Sequence, residues 1–355
     1  MKANKYLENI AIYKPGKDKI DQKKAIKLSA NENPLGCSAK VKERYNDHFK
    51  DLSIYYDPAC EALREKIASY NNINKNQILC SAGSDESIAM IIQSFSKEGD
   101  EILYSKHGFL MYAISAAKVG AKSIKINEVN FKTDIDDMVK KITNKTKIIF
   151  LANPNNPTGS YLNVKEVGKI ISKIPKNILI VFDHAYHEYC INEDYPKDIL
   201  NIAKKNDNIV ITRTFSKIYG LASLRIGWCY ASKYVIDILN KVRGPFNVSG
   251  PAQIGALAAL EDQDFINQSI EHNNKWLKIY KEEFKNNSKL RIYDSVANFI
   301  LIDFFSKDKC DKHYQELLDN GLVVRKLEAY DLNNCLRITI GKEEHNIKVI
   351  NTLKG

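Results

Sequence analysis

The amino-acid sequence predicts an α/β fold: a mostly parallel seven-stranded sheet covered by helices on both faces, followed by a smaller α+β unit. Three observations carry the prediction. Short runs rich in Ile and Val alternate with amphipathic stretches of helical period for most of the chain. Most of those runs are apolar at consecutive positions rather than at every second residue, as strands buried on both faces are. After Pro251 the alternation gives way to a long helical zone and then to further strand-like runs.

Taken in order, residues 1–48 are polar, carry Asn33-Pro34 and Gly36, and read as an arm. Residues 49–250 read as the large domain. Its strand candidates are Gln77–Cys80, Glu101–Tyr104, Ser123–Ile126, Lys147–Leu151, Ile178–Phe182, Ile209–Ile211 and Ile226–Tyr230. Helical periodicity fills the gaps, as in Ser87–Phe95 and Val164–Ile174. Residues 251–355 read as the small domain: a helical zone over Gln253–Asn286, then strands at Ala297–Ile302, Gly321–Arg325 and Cys335–Ile340.

The composition excludes several classes of function. The chain has 355 residues, 44% hydrophobic and 27% charged, enough to bury a large core. Its net charge of +10 comes from lysines interleaved with Asp and Glu, with no basic block, so nucleic acid is not an expected partner. No apolar run approaches a membrane span, and the N-terminus lacks the apolar stretch of a secretion signal. Seven dispersed cysteines without C-x-x-C spacing argue against disulfides or zinc and for a reducing cytoplasm.

Lys217 is the most informative residue. It follows the apolar run Asn208–Ile211, with Thr214 and Ser216 just before it and Arg225 after it. A lysine forms a Schiff base with an aldehyde, and hydroxyls with an arginine hold a phosphate dianion. An aldehyde and a phosphate on one small molecule describe pyridoxal 5'-phosphate. Gly83-Ser84-Asp85-Glu86 follows a strand and opens a helix whose first amides suit an anion. Asn153-Pro154-Asn155-Asn156-Pro157-Thr158-Gly159 presents Asn156 at the carboxyl edge of the sheet, where α/β proteins bind ligands. Asp183 ends a buried strand, where a carboxylate needs a partner; a protonated pyridine nitrogen is the useful one. Tyr186 follows it. His184 and His187 have no further ligand cluster beside them, so no metal is expected, and His184 reads as a local hydrogen-bonding residue beside the cofactor.

In this order the elements resemble the fold type I, aspartate-aminotransferase superfamily of pyridoxal-phosphate enzymes. Within it the chain is similar to the histidinol-phosphate aminotransferase family. The closer likeness rests on Asn31-Glu32-Asn33-Pro34-Leu35-Gly36, on the run from Arg213 to Leu221, on Val242-Arg243-Gly244-Pro245-Phe246-Asn247-Val248 and on Leu336-Arg337-Ile338-Thr339-Ile340-Gly341. The resemblance implies that Lys217 carries the cofactor and moves the substrate proton. It implies that Asp183 pairs with the pyridine nitrogen and that Asn156 and Tyr186 bond the phenolic oxygen. It gives the phosphate to Ser84, Asp85, Thr214, Ser216 and Arg225, and the ring face to Phe109. Arg337 matches the arginine that grips the α-carboxylate. Tyr55 matches a tyrosine reaching the cofactor of a neighbouring subunit, which implies a homodimer with shared sites.

Three positions depart from the family pattern: Tyr56 stands where proline is usual, His184 where a small or acidic residue is common, and Cys37 where proline is frequent. They bear on substrate choice, because the arm around Tyr13 and residues 31–56 helps to build the pocket. The function expected is transfer of an amino group from L-glutamate to a phosphorylated ketone, imidazole-acetol phosphate, with 2-oxoglutarate released. Arg325, Arg243 and Asn247 are the candidates for the substrate phosphate, by resemblance. Relatives in the family decarboxylate phosphoserine or phosphothreonine, aminate other phosphorylated ketones, or transaminate aromatic keto acids, and these remain the alternative reading.

Overall fold

The computed structural model describes residues 2–8, 10, 19–20, 23–48 and 53–355. Seven strands make the central sheet: β1 (Ile78–Ser81), β2 (Glu101–Ser105), β3 (Lys122–Ile126), β4 (Thr146–Ala152), β5 (Leu179–Asp183), β6 (Ile209–Thr214) and β7 (Gly227–Tyr230). Their order across the sheet is β1-β7-β6-β5-β4-β2-β3. Neighbours run parallel except at β7, which is antiparallel to both β6 and β1. Each predicted run is a strand. β6 extends furthest beyond its predicted end, to Thr214, because its last residues pair with β7.

The apolarity of the runs Ile148–Leu151, Leu179–Phe182 and Ile209–Ile211 has a direct cause. Ile149, Leu151, Ile180, Phe182 and Ile211 pack into a core on one face. Their chain neighbours Ile148, Phe150, Val181 and Val210 pack into a second core on the other. Successive side chains point to opposite faces, so two covered faces leave no position for polar residues. Helix Val164–Lys173, one of the covering layer, begins with a capping box: Asn163 accepts from the Glu166 amide, and the Glu166 side chain accepts from the Asn163 amide.

The helical zone expected over Gln253–Asn286 is two helices, Gly250–Leu260 and Gln263–Glu283. Asp262 divides them, its carboxylate capping the second by accepting from the Phe265 amide. The first of the two belongs with the central sheet, since Ala252, Ala256, Ala259 and Leu260 lie in that sheet's core.

A second, antiparallel sheet contains β8 (Arg291–Ile292), β9 (Phe299–Asp303), β10 (Arg325–Leu327) and β11 (Leu332–Thr339), in the order β8-β9-β11-β10. Its core gathers Trp276, Tyr280, Ile300, Ile302, Leu336 and Ile338. The run predicted as one strand over Gly321–Arg325 changes partners midway. Leu322–Val323 pairs in parallel with Ile26–Lys27 of the N-terminal segment, and only from Arg325 does the chain join β11. The Leu28 amide donates to Val323 O and the Thr339 amide to Leu28 O, so residues 26–28 are built into this unit. Among the described residues no helix is long and apolar enough to cross a membrane.

Candidate active site

The carboxyl ends of β1, β4, β5 and β6 open on one cavity of about 140 Å³. Ten residues singled out from the sequence line it: Ser84, Asp85, Phe109, Asn156, Asp183, Tyr186, Thr214, Ser216, Lys217 and Arg225. Topology explains the convergence. β5 lies between β4 and β6, so Asp183 at its end stands beside Ala152, just before the Asn153–Gly159 turn, on one side and Thr212, two residues before Thr214, on the other. β7 then brings Gly227 against both Thr214 and Ser81, which sets the Ser84–Phe95 helix start close to Thr214.

That corner is a cradle for an anion. The first-turn amides of a helix have no partners within the helix and carry partial positive charge. Thr214 Oγ1 and Ser216 Oγ lie 2.9 Å apart, and Arg225 donates to Ser216 Oγ at 3.2 Å. Asp85 holds the other arm of Arg225 at 3.3 Å. Gly83, with φ +80°, leaves room for that guanidinium: a Cβ there would collide with Arg225 Nη2.

At the other end Asp183 is buried. Tyr112 donates to its Oδ2 at 2.8 Å and Thr212 to its Oδ1 at 3.2 Å. Burial pushes its carboxyl up to about 6 despite those two donors. Burial also lowers the Lys217 amine to about 8, with the Arg337 guanidinium adding to the effect. Both shifts favour the neutral forms: a neutral amine is the nucleophile an aldehyde beside Lys217 needs, whereas a cationic ring nitrogen beside Asp183 would favour the carboxylate again. Tyr186 is pushed up to about 12, chiefly by burial, and so keeps its phenolic proton.

The N-terminal segment closes the site through contacts that sequence reasoning did not find. Arg337 Nη2 donates to Ser29 O at 2.6 Å, Lys217 Nζ to Ala30 O at 3.0 Å, and Asn31 Nδ2 to the Tyr186 hydroxyl at 2.8 Å. Arg337 Nη1 reaches Asn156 Oδ1 at 2.5 Å, which ties the second sheet to the cavity wall. Two of these contacts use backbone carbonyls, which no residue type announces. Tyr112 and Thr212 were also missed. Thr212 was open to discovery, since it is the β6 residue in register with Asp183.

Other expected residues lie elsewhere. Tyr55 is 80% exposed and stacks on Phe246, away from the cavity of its own chain. Arg243 donates to Pro58 O at 2.8 Å and to Asn247 Oδ1 at 3.1 Å, and Asn247 in turn donates to Glu86. The pair therefore braces the helix after Gly83 and does not line the cavity. Arg325 stands beside Arg337 in the sheet. Tyr13 lies outside the described residues. His184 makes the local contact expected of it, its Nδ1 lying 3.5 Å from the Tyr195 hydroxyl, but it is buried and does not line the cavity, because the residue after Asp183 points the opposite way. Its ring stacks with His187 instead. Among the described residues no group of three or more His, Cys, Asp or Glu could hold a metal ion.

This arrangement, a buried amine and a buried carboxylate flanking an anion cradle, is that of a group-transfer enzyme built around an aldehyde cofactor. The chain belongs to the aminotransferase class I and II family, whose model matches residues 23–353. It is 43% identical over 354 residues to the histidinol-phosphate aminotransferase of Pelagibacter ubique, covering 98% of this chain and 96% of that protein. It is 40% identical over 348 residues to the enzyme of the same name from Zymomonas mobilis, covering 97% and 94%. Among solved structures, the histidinol-phosphate aminotransferase of Sinorhizobium meliloti in complex with pyridoxal-5'-phosphate superposes with a TM-score of 0.91. It shares 22% identity, with 99% of this chain and 96% of that one covered, and so shares the fold.

Proposed function

We propose that this chain is a pyridoxal-phosphate-dependent aminotransferase that moves an amino group between L-glutamate and imidazole-acetol phosphate, giving histidinol phosphate and 2-oxoglutarate. The observation that carries the cofactor is the company Lys217 keeps in one cavity: Asp183 at one end and the Arg225 cradle at the other. The substrate reading draws support from relatives of that name at 40% and 43% identity over nearly the whole chain.

The residues fit the cofactor. The helix start at Ser84 and Asp85, with Thr214, Ser216 and Arg225, would take the phosphate dianion. Asp183 would meet the ring nitrogen, and an ionised carboxylate there keeps that nitrogen protonated. Phe109 would cover the ring face, and Asn156 and Tyr186 the ring oxygen. When bound, pyridoxal phosphate supplies an electron sink beside the amino-bearing carbon of the substrate. Lys217, with an amine that is neutral above about pH 8, would then take the proton from the substrate Cα and return it two bonds away, beyond the substrate nitrogen. Arg337 would grip the carboxylate of glutamate as a bidentate fork.

A homodimer is part of this reading. The exposure of Tyr55 beside Phe246 suits a ring offered to a second copy. The reading also includes a cytoplasmic site of action and a chain divided into arm, large and small units. The place of Gly250–Leu260 in the core of the central sheet supports a hand-over near Asp262 rather than at residue 250.

The test is a pair of single turnovers. Holoenzyme mixed with L-glutamate, and separately with histidinol phosphate, should lose its aldehyde-form absorbance in both cases. Borohydride followed by peptide mapping should label Lys217. An enzyme that ignores histidinol phosphate and accepts aromatic amino acids loses the substrate assignment; a label elsewhere removes Lys217 from the mechanism.

A further inference from the structure

Of the three contacts made by Ser29, Ala30 and Asn31, only the last comes from a side chain, and its direction can be derived. The Asn31 backbone N–H can only donate, and it donates to Thr339 Oγ1 at 3.0 Å. The Thr339 hydroxyl proton is then available for Asn31 Oδ1, 3.1 Å away. An amide whose oxygen faces Thr339 must turn its NH₂ toward the Tyr186 hydroxyl, 2.8 Å off. The Tyr186 oxygen therefore accepts from Asn31 and has its own proton to give, while the ring lines the cavity. Asn31 itself is fixed. It is 1% exposed, its φ of 58° is one that Asn tolerates, and its carbonyl accepts from Asn298 Nδ2 at 3.0 Å.

We propose that Asn31 is a positioning residue which, with Thr339 behind it, aims the Tyr186 proton into the cavity at an anionic oxygen of the bound ligand. The inference rests on the reading of that ligand as pyridoxal phosphate, whose ring oxygen sits next to the carbon that Lys217 attacks. A proton donated to that oxygen spreads its negative charge. It thereby lowers the proton affinity of the nitrogen that Lys217 contributes to the chromophore. If Asn31 ceased to donate, Tyr186 could turn its proton away, and the nitrogen would hold its proton to higher pH. Tyr186 keeps its proton across the working range, because burial pushes its ionisation up to about 12.

The measurement is a pH titration of the visible absorbance of substrate-free holoenzyme. Asn31→Gly suits the left-handed backbone, introduces no charge and removes the donor. It should raise the midpoint by about one pH unit or more, the scale of a hydrogen bond to an ionised oxygen. Thr339→Val, which frees the Asn31 amide to flip, should move it the same way by less, and reads the same chain if the first variant folds poorly. Tyr186→Phe should raise the midpoint too, and adding Asn31→Gly to it should produce no further shift. The inference is overturned by a midpoint unmoved in both single variants, even where stability or cofactor affinity falls. It is equally overturned by the same shift with and without the Tyr186 hydroxyl. A wild-type protein with no pH-dependent visible band would remove the cofactor reading, and this one with it. A normal wild-type band leaves the variants to decide on Asn31 alone.

Discussion

Arg325 and Arg337 stand directly opposite each other on the antiparallel strands β10 and β11, so both side chains leave the same face of the small sheet. Like charges so placed repel by up to about 1 kcal/mol, unless oxygen lies between or around them. Ser29 O and Asn156 Oδ1 supply it for Arg337. In the proposed reaction Arg337 would take the carboxylate of the amino donor and Arg325 the phosphate of the partner substrate.

Arg337→Ala should therefore slow the glutamate half-reaction roughly ten- to a hundredfold, the worth of about 1.5–3 kcal/mol for a charged hydrogen bond. It should affect the half-reaction of histidinol phosphate, which has no carboxylate, far less. Arg325→Ala should show the reverse pattern. Single-turnover spectra with each donor separate the two; equal losses in both halves for both variants would end this division of labour.

Asp183→Asn gives opposite results in the two forms of the protein. Without cofactor, the folded-state carboxyl titrates at about 6 against an ordinary value of 3.8, so the ionised group opposes folding. That penalty is absent at low pH, grows as pH rises from about 4 through 6, and approaches about 3 kcal/mol at neutrality. The variant should thus melt higher than wild type at pH 7.5 when cofactor-free, and lose the advantage near pH 4. With cofactor bound, turnover should fall by far more than tenfold, about 1.4 kcal/mol of barrier.

Lys217 fixes the pH dependence of cofactor capture. Its amine is lowered from 10.5 to about 8, chiefly by burial, so the neutral nucleophile rises about tenfold per unit up to pH 8 and then levels. Covalent uptake of pyridoxal phosphate by cofactor-free protein, followed by stopped-flow absorbance, should trace that curve. A rate still climbing at pH 10 would place the amine in ordinary solvent. The same depression opposes folding below pH 8, and the opposition fades as pH rises toward 10.5.

Two glycines should respond to alanine in opposite directions. Gly220, at φ +69°, would drive a Cβ into the carbonyl oxygen of Gly36. Gly220→Ala must therefore push the backbone of the N-terminal segment away from the Lys217 turn, at a cost of about 3 kcal/mol or more. Gly168 lies on the exposed side of helix Val164–Lys173 with nothing within 4 Å of its would-be Cβ. Gly168→Ala should stabilise by roughly 0.5–1 kcal/mol. Thermal melting of the two variants checks both signs.

The parts of this molecule legible in the sequence are those where one residue type has one plausible reason to be present. Ile178–Phe182 could only be a doubly covered strand, and Lys217 among hydroxyls and Arg225 pointed to an aldehyde bearing a phosphate. Contacts made by backbone were not legible: Ser29 O and Ala30 O would serve Arg337 and Lys217 from almost any residue. Partner changes within a run were hidden as well, because Gly321–Arg325 has the same apolarity whether it feeds one sheet or two. His184 keeps its local contact with Tyr195 but was expected beside the cofactor, although alternation along an extended chain sends it the other way.

The Asn31–Thr339 contact joins residues 308 positions apart, so the site has a birth order. During synthesis the ribosome delivers Ser29, Ala30 and Asn31 about 300 residues before the end of β11. For that whole interval Asn31 waits without the strand that positions it, and Tyr186 and Lys217 arrive within it. Long-range closure of this kind is slow relative to local helix formation. A nascent chain stopped after the central sheet would carry the lysine and the anion cradle yet lack the wall that holds Asn31. Competence to turn over substrate should therefore arrive in one late step, which release of chains arrested at successive lengths would time.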